Sequence, residues 1–183
     1  MITRRGLFAG FILVAVAATQ GVNLQAQDVP KAVPEAKAAP KTGASVLIQV
    51  VGDVAHPLSL TSEELAKLPR QTVRAKGHDG VDSQFDGVAL AEFLAKAGVP
   101  TGKDVRGPAM ALYVVVEAAD GYRAVFALAE LEPAFTDRVI VLADHRDGKA
   151  LSAREGPFQI IVPGEKKHAR WVRQVIRLKV GRG

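Results

Sequence analysis

The sequence predicts an α+β fold, a mixed and largely antiparallel sheet with short helices. Three observations carry this. Apolar, β-branched runs of five to nine residues recur along the chain and are closed each time by a Gly or Pro turn signal. The helical patterns between them are short and are stopped early by Pro69 and by Gly98 and Pro100. The last run alternates Ile176, Leu178 and Val180 with Arg177 and Lys179, as a half-buried closing strand does.

The strand-rich part does not begin at residue 1. Arg4 and Arg5 precede an apolar segment, Leu7 to Ala18, too short to span a bilayer. Leu24-Gln25-Ala26 then offers a cleavage site after Ala26. This is a secretory signal pattern over 1–26, and it predicts a periplasmic or secreted protein. An uncleaved membrane anchor is the alternative. Thr3-Arg4-Arg5-Gly6-Leu7-Phe8 also resembles a twin-arginine signal, with Leu7 and Phe8 swapped against the usual order, so both export routes stay open. Residues 27–44 carry three spaced prolines among Ala and Lys and predict an extended tether. The folded domain is expected over 45–183.

Within it, Val46 to Val51 reads as the first strand, and Gly52 and Pro57 bracket a turn. Thr61-Ser62-Glu63-Glu64 is a capping box, so a helix starts there. Gln71 to Lys76 is the next strand, closed by Gly77. Phe85-Asp86-Gly87 reads as a turn into a helix over 88–97, with Leu90, Phe93, Leu94 and Ala97 on one face. Ala109 to Glu117 is apolar on both faces and predicts a central strand. Asp120-Gly121 turns it back into Tyr122 to Ala127. A short helix near Leu128 to Leu131 and a strand from Val139 to Ala143 follow. Asp147-Gly148 is another turn, and Phe158 to Val162 another strand.

That last strand ends at Pro163-Gly164, a tight-turn signal. Lys166, Lys167, His168 and Arg170 then crowd within five positions, and Trp171 follows directly. A buried strand delivering a compact positive loop suits an anionic ligand: a phosphate, another oxyanion or an acidic protein face. The bland alternative is a solvated basic turn beside a structural Trp.

Composition excludes several classes. The formal charge is +5, and loss of residues 1–26 removes two arginines and no acid, giving +5 − 2 = +3. That mild excess, with few aromatics not interleaved among basic residues, does not call for a nucleic-acid partner. There is no cysteine, hence no disulfide, thiolate ligand or Cys nucleophile. The four histidines are dispersed, with no HxH or HxxxH pair, so no zinc site is expected. No Gly-rich phosphate loop and no Gly-X-Ser-X-Gly elbow occur. Glu63-Glu64 favours a helix dipole rather than forming a catalytic pair. Arg123 is expected in a cross-strand ion pair.

Four blocks in order resemble the oxidoreductase molybdopterin-binding domain, the fold of the sulfite oxidases and their bacterial relatives. They are Thr72 to His78, Phe85 to Val99, Ala118-Ala119-Asp120-Gly121-Tyr122, and Gly156-Pro157-Phe158 through Val162-Pro163-Gly164 to Ala169-Arg170-Trp171-Val172. In that family a cysteine in a Thr-Leu-X-Cys-X-Gly-Asn setting supplies a thiolate to molybdenum. Its position falls here on Ala75, between Arg74 and Lys76; the glycine is kept at Gly77 and His78 follows. The resemblance implies a pocket for molybdopterin or the molybdenum cofactor, with Gly77, His78, Lys166, Lys167, His168 and Arg170 as the binding set and the catalytic residues unassigned. Ala has no donor atom, so the expected outcome is a domain that binds a pterin or another anionic ligand without thiolate-ligated molybdenum chemistry. A genuine molybdopterin-dependent oxidoreductase with His78 or Asp79 as substitute ligand, and a periplasmic protein-interaction scaffold, are the alternatives. The chain is also much shorter than a full sulfite oxidase.

Overall fold

The computed structural model describes residues 48–183; the expected signal segment and tether lie outside the described residues. Among the described residues, ten strands form two five-stranded sheets. The first sheet contains β1 (Ile48–Gly52), β2 (Leu58–Leu60), β5 (Leu112–Ala118), β6 (Arg123–Ala127) and β10 (Val175–Arg182), in the order β2-β1-β10-β5-β6. The second contains β3 (Gln71–Lys76), β4 (Asp82–Ala89), β7 (Val141–Arg146), β8 (Lys149–Ala150) and β9 (Gln159–Ile161). There β3, β4 and β7 run side by side, and β8 and β9 pair successive stretches of β7. Every pairing is antiparallel except β1 with β10. The fold is therefore α+β with a mixed, mainly antiparallel arrangement, as the sequence predicts.

Both sheets feed one apolar cluster. Val50, Val114, Phe126 and Leu178 come from the first sheet; Phe85, Val88, Leu142 and Ile160 come from the second. Helix α2 (Leu90–Lys96) adds Leu90, Phe93 and Leu94 from its buried face. Helix α1 (Ser62–Ala66) starts at the expected capping box: Thr61 accepts from the Glu64 backbone while the Glu64 carboxylate accepts from the Thr61 N–H at 2.9 Å.

Two local readings are corrected. Phe85-Asp86-Gly87 is not a turn but the middle of β4, and α2 begins at Leu90 rather than 88. The Asp and Gly serve the sheet. Asp86 accepts a hydrogen bond from the Thr72 hydroxyl across β3. Gly87 lets the β7 backbone approach: a Cβ there would lie 2.1 Å from the Leu142 carbonyl oxygen. The closing strand carries a bulge between Val175 and Arg177, so Val175, Leu178 and Val180 are buried while Ile176 is exposed. Strand β5 lies inside its sheet between β10 and β6, the central place that its apolar run predicts. It opens at Leu112, after a 3₁₀ turn over Gly107–Ala111, and alternates buried with half-buried residues. Smaller differences are the additional short strands β2 and β8, and the extension of β7 to Arg146.

Candidate anion-binding cleft

Strand β9 sets up the site. One edge pairs with β7, and the chain beside its other edge leads into β10: Ile160 N–H donates to the Val172 carbonyl at 2.8 Å, and Val175 N–H to that of Phe158 at 3.0 Å. Between these two contacts the chain must leave and return. It does so through the Pro163-Gly164 turn, where Gly164 has φ +76°, and the basic loop. The loop closes with a 3₁₀ turn over His168–Arg170 and ends on Trp171.

Trp171 is buried and its Nε1–H donates to the Val162 carbonyl at 3.1 Å, which satisfies its polar handle inside the core. Phe85 meets it edge-on at 5.7 Å. His168 tilts against the same indole at 4.3 Å, and His78, from the β3–β4 loop, meets His168 edge-on at 4.6 Å. An aromatic wall thus joins the two loops that the sequence singles out.

The wall borders a cleft of about 450 Å³, within the size range of small-molecule sites. His78 and His168 line it together with Tyr122, Arg154, Trp171 and Arg173. Two Gln174 bonds hold the Arg154 loop in place: its N–H donates to the Glu155 carbonyl and its side-chain amide to that of Ala153, both at 2.9 Å. Tyr122 is fixed by its hydroxyl, which donates to the Ala169 carbonyl at 2.6 Å. Asp120, the single carboxylate in the lining, accepts from the Tyr122 N–H at 2.9 Å. Arg154 and Arg173 enter no ion pair among the described residues. The cleft is cationic, and its charge reaches His78. Partial loss of hydration, then the positive charge of Arg173 and of His168, push the His78 imidazole below its ordinary pKa.

The other expected residues stand elsewhere. Gly77 is buried at the end of β3, outside the lining, where a Cβ would lie 2.7 Å from Asp79 Oδ1 and 3.1 Å from Arg146 Nη2. Its smallness admits the Arg146–Asp79 ion pair. Lys166 and Lys167 are exposed and do not line the cleft. Arg170 turns toward the protein: Nη1 donates to both Glu130 oxygens at 2.9 Å, Nε to Glu165 at 2.8 Å, and Nη2 also to Glu165. Its guanidinium carbon lies 4.7 Å from the centre of the Phe126 ring. Partial burial opposes its charge, but the bonds to Glu130 and Glu165 outweigh that and raise its pKa. Arg123 forms the expected cross-strand pair with Glu117. Arg154 and Arg173 are the residues the sequence reading passed over. Arg173 lies just past the basic block, but only the fold brings Arg154 beside it.

The metal half of the implied cofactor does not fit these residues. Ala75 points into the apolar cluster opposite Ser83 on β4 and offers no donor atom. Asp79 is taken up by the Val81 N–H and by Arg146, which hold its carboxyl below the usual range. Among the described residues no three His, Cys, Asp or Glu side chains converge to hold a metal. The anionic half does fit: two unpaired guanidiniums, two imidazoles and an indole wall match a phosphate attached to a flat ring.

A family model described as the oxidoreductase molybdopterin binding domain matches residues 33–182. Among solved structures, the sulfane dehydrogenase SoxCD from Paracoccus pantotrophus matches with a TM-score of 0.58 and 24% identity. The match covers 73% of this chain and 37% of that one, so the chain spans well under half of that neighbour's length. At this identity the likeness shows the fold. No curated protein matches the chain.

Proposed function

The chain belongs to the oxidoreductase molybdopterin-binding domain family, and from that premise we propose that it is an anion-binding member without thiolate-ligated molybdenum chemistry. One observation carries the proposal. On the family's fold, Arg154, Arg173, His78 and His168 converge on a cleft walled by Trp171, while the family's cysteine position holds Ala75. The two arginines donate to an oxyanion, and each imidazole adds a donor once protonated. The flat faces of His168 and Trp171 favour a planar group beside the anion. A pterin phosphate meets both requirements; other small aromatic phosphates do so by the same chemistry.

The test is to purify the protein from its exporting host and measure molybdenum and pterin per chain, then titrate inorganic phosphate into the metal-free protein by calorimetry. Pterin without stoichiometric molybdenum, or saturable phosphate binding lost in Arg173→Met, supports the proposal. Stoichiometric molybdenum that survives gel filtration overturns it in favour of an altered metal shell.

Two companion proposals follow from the sequence. The basic N-terminal segment directs export; unimpaired export of an Arg4→Lys, Arg5→Lys chain would remove the twin-arginine route. Lys166 and Lys167, exposed outside the cleft, supply a contact for an acidic protein partner. Charge reversal at both should weaken partner capture without altering thermal stability; unchanged capture would mark a solvated face.

A further inference from the structure

A second cleft, also of about 450 Å³, shares no lining residue with the first. It lies between α2 and the segment 131–140. Its walls are largely apolar, with Ala89, Ala91, Leu131 and Ile140 among them, and its charged members are Glu92, Glu132, Asp137 and Arg138. Three carboxylates face one guanidinium, so the bias is acidic, opposite to that of the first cleft. None of the four takes part in an ion pair among the described residues.

Glu132 is the unusual member. It is 2% exposed, although a carboxylate is almost never so buried unless paired. One oxygen, Oε2, accepts the Gly102 N–H at 2.7 Å. The other, Oε1, is buried and accepts no hydrogen bond from any described residue. A buried acceptor left without a donor is costly and uncommon in a native fold. A donor that completes it would be held by a charge-assisted bond in a low-dielectric setting. A divalent metal is a poor candidate, because no three ligating side chains converge among the described residues. An anion meets the wrong charge. An ammonium on an apolar body satisfies the carboxylate and the walls at once.

We propose that this second cleft binds a small organic cation, an ammonium group carried on an apolar or aromatic body, with Glu132 as its counter-ion. The fit of such a ligand depends on neither the family's cofactor nor the cationic cleft.

The test uses the full chain, with benzylamine as probe and benzyl alcohol and benzoate as matched neutral and anionic controls. Amide NMR shifts are followed at Gly102, Leu131 and Thr136. Benzylamine should shift these resonances saturably, and the controls should bind at least about tenfold more weakly. Glu132→Gln keeps an acceptor for the Gly102 N–H but removes the charge, and should weaken benzylamine by about tenfold or more. Ala91→Leu narrows the apolar wall without touching Glu132 and should weaken benzylamine too, which covers the case in which the Gln variant fails to fold. Equal affinity for all three probes, no saturable shift, or benzylamine binding unchanged in either folded variant would overturn the assignment.

Discussion

Replacing Arg170 and Arg173 separately by Met should divide fold stability from anion binding, although only two residues lie between them. Arg170 is tied to Glu130 and Glu165 and covers the Phe126 ring. Truncating it strands Glu165, whose side chain is only 15% exposed and whose second oxygen has no partner among the described residues. A hydrogen bond to a charged group contributes roughly 1.5–3 kcal/mol when buried. Two such partners, discounted because Arg170 is itself 30% exposed, give a loss of about 2–3 kcal/mol. For a domain of this size that lowers Tm by about 7–10 °C. Phosphate affinity of the remaining folded protein should stay within about twofold, because Arg170 does not line the cleft. Arg173→Met should do the reverse, changing stability by less than about 0.5 kcal/mol while weakening phosphate by about tenfold or more. Thermal unfolding by circular dichroism and calorimetric titration at pH 6 read both. If Arg170→Met keeps its Tm yet loses phosphate, or Arg173→Met binds phosphate normally, the two arginines do not divide these roles.

Three further outcomes are expected. Partial burial, and then the positive charge of Arg173 and His168, depress the His78 pKa; a bound anion offsets that charge, so binding takes up a proton, and affinity for sulfate, whose own charge is constant over this range, should rise as pH falls. Affinity that is flat from pH 8 to pH 5, or equally pH-dependent in His78→Gln, would contradict this. Thr61→Ala should cost about 1 kcal/mol in urea unfolding through loss of the capping box; a change under about 0.3 kcal/mol would mean that the α1 end is already frayed. Gly87→Ala should destabilise far more than an exposed strand glycine, by several kcal/mol (about 3 or more), because its Cβ meets backbone rather than a movable side chain. Soluble, cooperative unfolding near the parent Tm would refute that.

Much of the fold was legible because its signals are local. The Thr61 capping box, the β3 run ending at Gly77, the Asp120-Gly121 and Asp147-Gly148 turns and the apolar face of α2 each depend on neighbours within a few residues. Strand β4 was not legible, since Asp86-Gly87 carries a turn signature. Its reasons for being a strand lie in Thr72 and Leu142, distant in sequence. The Ile176 face was misread for a related reason: the bulge that reverses it is set by pairing with β5. At the site, proximity in sequence misled. Lys166, Lys167 and Arg170 are close in the chain, yet the lysines are exposed outside the cleft and Arg170 turns to Glu130 and Glu165, whereas Arg154 lines the same cleft as Arg173 through a loop that Gln174 holds. The family assignment survived because ordered blocks spread over the whole domain carry it.

The place of β10 has a consequence for biogenesis. It occupies the middle of its sheet, between β1 and β5, and supplies the one parallel pairing among the described residues. Until residues 175–182 have been synthesised, the strands at either side face each other across a gap and the sheet has no centre. The domain therefore cannot close as it emerges from the ribosome. An incomplete first sheet is thus exposed while synthesis continues, and a chaperone has that time in which to engage it.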